Sequence, residues 1–143
     1  MKPFSLDTVL NYRVQLEKIA KNRLYAADKK RAEVFLQVQQ KETGCNTLIN
    51  DLGRLQSQGI EVLEMIRYEE RISVEKSELE TLKKILIEKE ANVLRERENT
   101  IKRSKERKVM EKLKEKQNAT WQQYLNKKEA ALLDEIAVIF HER

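Results

Sequence analysis

Apolar residues recur along this chain at intervals of three and four, the repeat of one face of an α-helix. One run reads Leu6, Val9/Leu10, Leu16, Ile19/Ala20, Leu24, Ala27, Val34/Phe35 and Val38, and continues through Leu48/Ile49, Leu52 and Leu55. Arg13, Arg23 and Arg31 fall near this seam, where long stems can lie along apolar surface with their heads in water. A second run starts at Leu63 and Ile66 and passes through Ile72, Leu79, Leu82, Leu86 and Val93 to Met110, Leu113 and Trp121. It ends with Leu125, Leu132, Ile136 and Ile139/Phe140. Its thinnest stretch is 94–108, where Ile101 is almost the sole apolar anchor and ion pairs are expected to help. Ser5 is a suitable N-cap for the first helix, Asp7 suits its first turn, and Phe4 can staple onto Val9.

The breaks are few. Gly44, Gly53 and Gly59 are the only glycines, and each costs a helix interior about 1 kcal/mol relative to Ala. The helical period runs on past Gly44 and Gly53, so the turn is placed at Ser57-Gln58-Gly59. Neither Gly nor Pro follows Gly59, and so long a periodic segment points to a coiled coil. The pattern predicts an all-α chain: a long antiparallel two-helix coiled-coil hairpin, one unit across residues 1–143. Helix 1 is expected over about 5–56, the turn over about 57–60 and helix 2 over about 61–141, giving lengths of roughly 80 and 120 Å. Folded back at the turn, residue 5 falls beside residue 113, and the C-terminal helix overhangs the N-terminus from about residue 114. That overhang is the most apolar and aromatic part of the second helix, which marks it as a partner-binding or self-associating surface.

Composition narrows the class. Charged residues make up 37% of the chain and aromatics 6%, too little for a thick core but enough for a seam between helices. High charge is also a mark of disorder, but the periodic apolar residues and interspersed charge signs favour ordered helix. Cys45 is the one cysteine, so no internal disulfide is possible and a reducing compartment fits. Neither a secretory h-region nor an apolar run of about 20 residues is visible, and a cytoplasmic chain is expected. Of the net charge of +5, residues 101–116 account for much, with eight Lys/Arg against three Glu. Such a stretch is either a solvated helix face or a basic stripe for an acidic partner.

Chemistry is hard to place on this pattern. The single His141 and single Cys45 stand far apart, no Gly-rich phosphate loop is present, and two paired helices offer no deep pocket. No enzyme activity, metal or cofactor is expected. Nucleic-acid binding is disfavoured because the basic stretch lacks interleaved aromatics and leads into no clean zipper.

The two ends carry a resemblance. Phe4-Ser5-Leu6-Asp7-Thr8-Val9-Leu10-Asn11-Tyr12-Arg13 resembles the opening of FliJ-family proteins of the bacterial flagellar export apparatus. Met110-Glu111-Lys112-Leu113-Lys114-Glu115-Lys116 resembles that family's Glu-x-Leu-basic stretch, and Glu129 with Leu133-Asp134-Glu135-Ile136-Ala137 its closing acidic-apolar motif. The resemblance implies a stalk-like coiled coil that enters the hexameric export ATPase, promotes its activity, and links it to the membrane export gate and to export chaperones. It also implies a position at the cytoplasmic face of the inner membrane. The expected partner-binding residues are Met110, Leu113, Trp121, Tyr124, Leu125, Leu132, Leu133, Asp134, Glu135 and Ile136. Lys102, Arg103, Lys105, Arg107 and Lys108 would form a basic collar behind them. The stalk protein of a virulence secretion system and a generic coiled-coil scaffold fit the same residues.

Overall fold

The helical repeat is realised as two helices, and strands are absent among the described residues. A computed structural model describes residues 6–142, with α1 over Asp7–Gln58 and α2 over Val62–Glu142. The expected Ser5 cap and Phe4 staple lie outside the described residues. Within them, the Leu6 carbonyl accepts from the Leu10 N–H at 2.9 Å, and Asp7 places its charge in the first turn of α1. That end of the helix is electropositive, so the carboxylate is favoured there.

α1 runs through Gly44 and Gly53 and stops before Gly59, whose φ of 96° is the left-handed conformation that ends helices. Ser57 Oγ donates to the Arg54 carbonyl at 2.7 Å, which satisfies one of the acceptors a helix end leaves over. α2 begins as the Glu61 carbonyl accepts from the Met65 N–H at 3.0 Å. Gln56 Nε2 lies 3.5 Å from Met65 Sδ, joining the two helices beside the turn.

Two compact units can be distinguished, residues 21–98 and a second made of the residues up to Ala20 with those from Asn99 onward. In the first, buried Ala27, Val38, Cys45 and Leu52 of α1 meet buried Ile72, Leu79 and Val93 of α2. Val38, Cys45 and Leu79 form one apolar cluster, with Val34, Leu82 and Leu86 packed against it. Buried positions on α1 and on α2 recur every seventh residue, the spacing of coiled-coil packing. Lys41 bridges Glu75 at 2.9 Å and also Glu78, while Lys83 reaches Glu42 at 3.6 Å. The hydrogen bonds that Lys41 donates to Glu78 and then to Glu75 push its ammonium far above its ordinary range. Pairs that close toward the turn, from Glu42–Lys83 to Gln56–Met65, make the helices antiparallel.

The other unit has a different seam. Leu10 and Met110 are buried together with Val14 against them, and Ala20 is buried nearby. Thr100, Arg103 and Arg107 of α2 are among the half-buried residues around them. Thr100 Oγ1 donates to the Ala20 carbonyl at 3.2 Å. Ile101, expected to anchor this stretch, is instead 49% exposed. The seven-residue register that buries Val93 brings Thr100 inward and carries Ile101 out. Leu63 and Ile66 are turned outward by the same register.

The glycines give a paired expectation. Gly59→Ala should destabilise by about 1 kcal/mol, because only its left-handed backbone is strained and no atom crowds the new methyl. Gly53→Ala should stabilise by up to about 1 kcal/mol, being in a helix interior with open space at Cβ. Urea unfolding followed by helical circular dichroism measures both, and shifts of the same sign would contradict this account. Leu79→Ala, which empties the centre of the apolar cluster, should cost about 2–3 kcal/mol in the same experiment.

Candidate partner-binding surface on the second helix

In the unit that contains both chain ends, the basic residues of α2 divide by type. The arginines point into the seam. Arg107 Nε donates to Glu17 Oε2 at 2.8 Å and its Nη1 reaches Glu111 Oε1 at 2.7 Å. Arg13 Nη1 and Arg103 Nη1 both meet Glu106 Oε2, at 2.7 and 3.1 Å. Glu17 is only 6% exposed, and a carboxylate so placed requires a charged partner. The planar guanidinium of Arg107 supplies it and also reaches Glu111 through a second nitrogen. The hydrogen bonds that Arg107 donates to Glu17 and then to Glu111 raise its pKa above its ordinary value.

Lys102, Lys105 and Lys108, by contrast, are exposed, as are Lys112 and Lys116 farther along. The expected collar is therefore a row of solvent-facing lysines, while Arg103 and Arg107 are engaged within the chain. Lys114 turns inward enough to pair with Asp7 at 3.2 Å.

The expected apolar residues also separate. Met110 packs on Leu10 inside the seam, whereas Leu113 is 43% exposed. Trp121 and Leu125 are half-buried, and Trp121 stacks on exposed Tyr124 with ring centroids 5.2 Å apart and planes inclined by 24°. Leu132, Leu133, Asp134, Glu135 and Ile136 are all exposed. Every residue from Asn126 to Glu142 is exposed, and Val138, Ile139 and Phe140 extend the apolar stretch, Phe140 at 71%. So much large apolar surface on one helix end makes it the candidate interaction surface. The roles of Glu17 and Glu106 escaped the sequence reading. For Glu17 the signal is the seven-residue spacing from Leu10, matched on α2 by the spacing from Val93 through Thr100 to Arg107.

Two long helices packed antiparallel at seven-residue spacing, with surfaces built from helix faces, define a coiled-coil interaction protein. A family model described as flagellar FliJ protein matches residues 1–143, and the chain belongs to that family of flagellar export components. A search of curated proteins and a search of solved structures found no match. Among the described residues, no helix is long and apolar enough to cross a membrane.

The ion pairs around Glu106 give a pH dependence. Arg103 first, and Arg13 with it, hold this carboxyl below its ordinary value of 4.5. Its pairing thus stabilises the fold fully above that value and is lost as pH falls through the lower, folded-state value. The Tm advantage of the parent chain over Glu106→Gln should be steady near neutrality and shrink from about pH 4.5 downward. A difference unchanged down to about pH 3 would show that the pairs contribute nothing to stability.

Proposed function

We propose that this chain is the central stalk and activator of the hexameric flagellar export ATPase, which it links to the export gate and to export chaperones. The observation that carries this reading is the exposed run 126–142 of α2, which lies beyond the Lys114–Asp7 ion pair. A single helix bearing a broad apolar stripe is narrow enough to enter the pore of a ring and apolar enough to gain free energy there. The row of exposed lysines at 102, 105 and 108 precedes this run on the same helix and suits an acidic rim. Family membership supplies the export context. The contribution of the chain is binding and positioning, and chemistry is left to the ATPase.

The roles of the residues follow from their placement. Leu113, Tyr124, Leu132, Leu133 and Ile136 would make apolar contact with the ring, with Trp121 and Leu125 at the base of the segment. Asp134 and Glu135 would orient the end of the helix. Met110 and Arg107 act at one remove, since they pair with Leu10 and Glu17 of α1, and Arg103 does so only through Glu106, which it shares with Arg13 of α1.

The test is ATP turnover by a purified flagellar export ATPase with and without the chain. The intact chain should stimulate turnover several-fold, and deletion of 114–143 should abolish the effect while the remaining helices stay folded. Leu133→Glu with Ile136→Glu, both at exposed positions, should do the same with helicity unchanged. Lys102→Glu, Lys105→Glu and Lys108→Glu together should weaken ring binding, and raised salt should weaken the parent in the same way. Stimulation that survives the deletion would rule out the stalk reading.

A further inference from the structure

In the unit that holds both chain ends, acids and lysines have different fates. Over residues 6–20 and 99–120 the acids are Asp7, Glu17, Glu106, Glu111 and Glu115. Asp7 pairs with Lys114, Glu17 and Glu111 with Arg107, and Glu106 with Arg13 and Arg103. Only Glu115 is left exposed on the surface. Lys102, Lys105, Lys108, Lys112 and Lys116 are exposed too, and among the described residues none of them forms an ion pair.

Lys105, Lys108, Lys112 and Lys116 stand three or four residues apart, which sets them on one stripe of α2. At about 3.6 residues per turn, this stripe is centred half a turn away from Arg107, Met110 and Lys114, the residues that meet α1. Ile101 and Val109, 49% and 58% exposed, lie on the same back face. Lys102 and Leu113 flank it on one side and Glu115 on the other. Successive lysines at this spacing repel one another along the helix, and one glutamate offsets only one charge of the five. The face therefore carries a cost that an anionic surface would relieve.

We infer that this back face of α2 lies on an anionic lipid bilayer. Four or more lysines on an amphipathic helix suffice to hold it at such a surface. The use of lysine fits: ammonium groups on flexible stems meet headgroups without a fixed register, while the arginines of this segment remain in the seam. The aliphatics decide between anionic partners. Ile101 and Val109 enter the boundary between headgroups and acyl chains as the lysine stems reach back to the phosphates. Against a phosphate backbone or an acidic protein rim the same two side chains gain little, and residues 101–116 contain no aromatic on which a base could stack. Lysines laid on a bilayer are withheld from a ring, so the contact belongs to the chain when it is off the ATPase. It stands or falls apart from the stalk reading.

Co-sedimentation of the full chain with vesicles of phosphatidylcholine containing about one-third phosphatidylglycerol tests it, with phosphatidylcholine alone as the control. The chain should bind the anionic vesicles, leave the neutral ones, and be released by raised salt. Each lysine near the surface contributes about fivefold, so Lys105→Gln, Lys108→Gln and Lys112→Gln together should weaken binding by about a hundredfold. Ile101→Gln with Val109→Gln should weaken it severalfold and leave retention on immobilised poly-glutamate unchanged. These positions are all exposed, and circular dichroism confirms that each variant keeps its helices. A chain that ignores anionic vesicles overturns the inference. So does equal binding to neutral vesicles, or binding that survives the three lysine changes, either of which places the contact on another surface. Vesicle binding indifferent to the two aliphatic changes overturns the bilayer in favour of a general polyanion site.

Discussion

A seven-residue spacing kept on both helices decides which side chains are inside, and the rest of the structure depends on it. On α1 the line runs Leu10, Glu17, Leu24, Arg31, Val38, Cys45 and Leu52, all buried or half-buried. On α2 it runs Met65, Ile72, Leu79, Leu86, Val93, Thr100, Arg107 and Lys114, again without an exposed member. Register, more than hydropathy, sets the occupants, and it brings one carboxylate and one guanidinium inward from opposite helices. A buried Glu17 without a cation would cost several kcal/mol, so its 2.8 Å bond to Arg107 fixes how the helices align in that unit. A slip of one heptad would set Glu17 against Thr100 or Lys114 and leave Leu10 facing Arg103 or Gln117. Apolar matching and charge pairing therefore select the same alignment, the kind of agreement across levels that specifies one structure.

The two units use the same spacing for different chemistry. Residues 21–98 close on Val38, Cys45, Ile72, Leu79 and Val93, with the Lys41 bridge at the edge. The other unit has the Leu10–Met110 contact and otherwise relies on Thr100, Arg103, Arg107 and their partners. Its cohesion is accordingly more sensitive to salt and acid, since apolar burial responds little to either. The separation of arginine from lysine follows from the same need. Arg103 and Arg107 occupy half-buried positions, with Arg107 serving two acids, while Lys102, Lys105 and Lys108 occupy the solvated face.

Most of the fold was legible in the sequence, because helix breakers and apolar periodicity are local signals. The absence of Gly and Pro beyond Gly59, and the continuity of the pattern across Gly44 and Gly53, lead directly to two helices and their antiparallel pairing. The interior of the 94–108 stretch was not legible by hydropathy. A search for apolar anchors selects Ile101, whereas the register buries Thr100 and Arg107, whose fitness depends on Ala20 and Glu17 on the other helix. The lysine–arginine division was hidden for the same reason: residues 101–116 read as one basic block until a partner helix shows which side is inside. The C-terminal stripe was legible as a periodic apolar run, and residues 126–142 are exposed in the structure.

A chain of this kind recognises partners with helix faces, so its selectivity resides in the order of charges along a stripe. Leu125, Leu132 and Ile139 supply apolar area that almost any amphipathic surface could cover. Lys128 and Glu135 restrict the choice, because each partner orientation either meets them with opposite charge or leaves a like pair in contact. On the reading proposed above, a partner on this face would offer acid beside Lys128 and base beside Glu135, and the exposed lysines at 102, 105 and 108 would add contacts that a bare apolar stripe lacks.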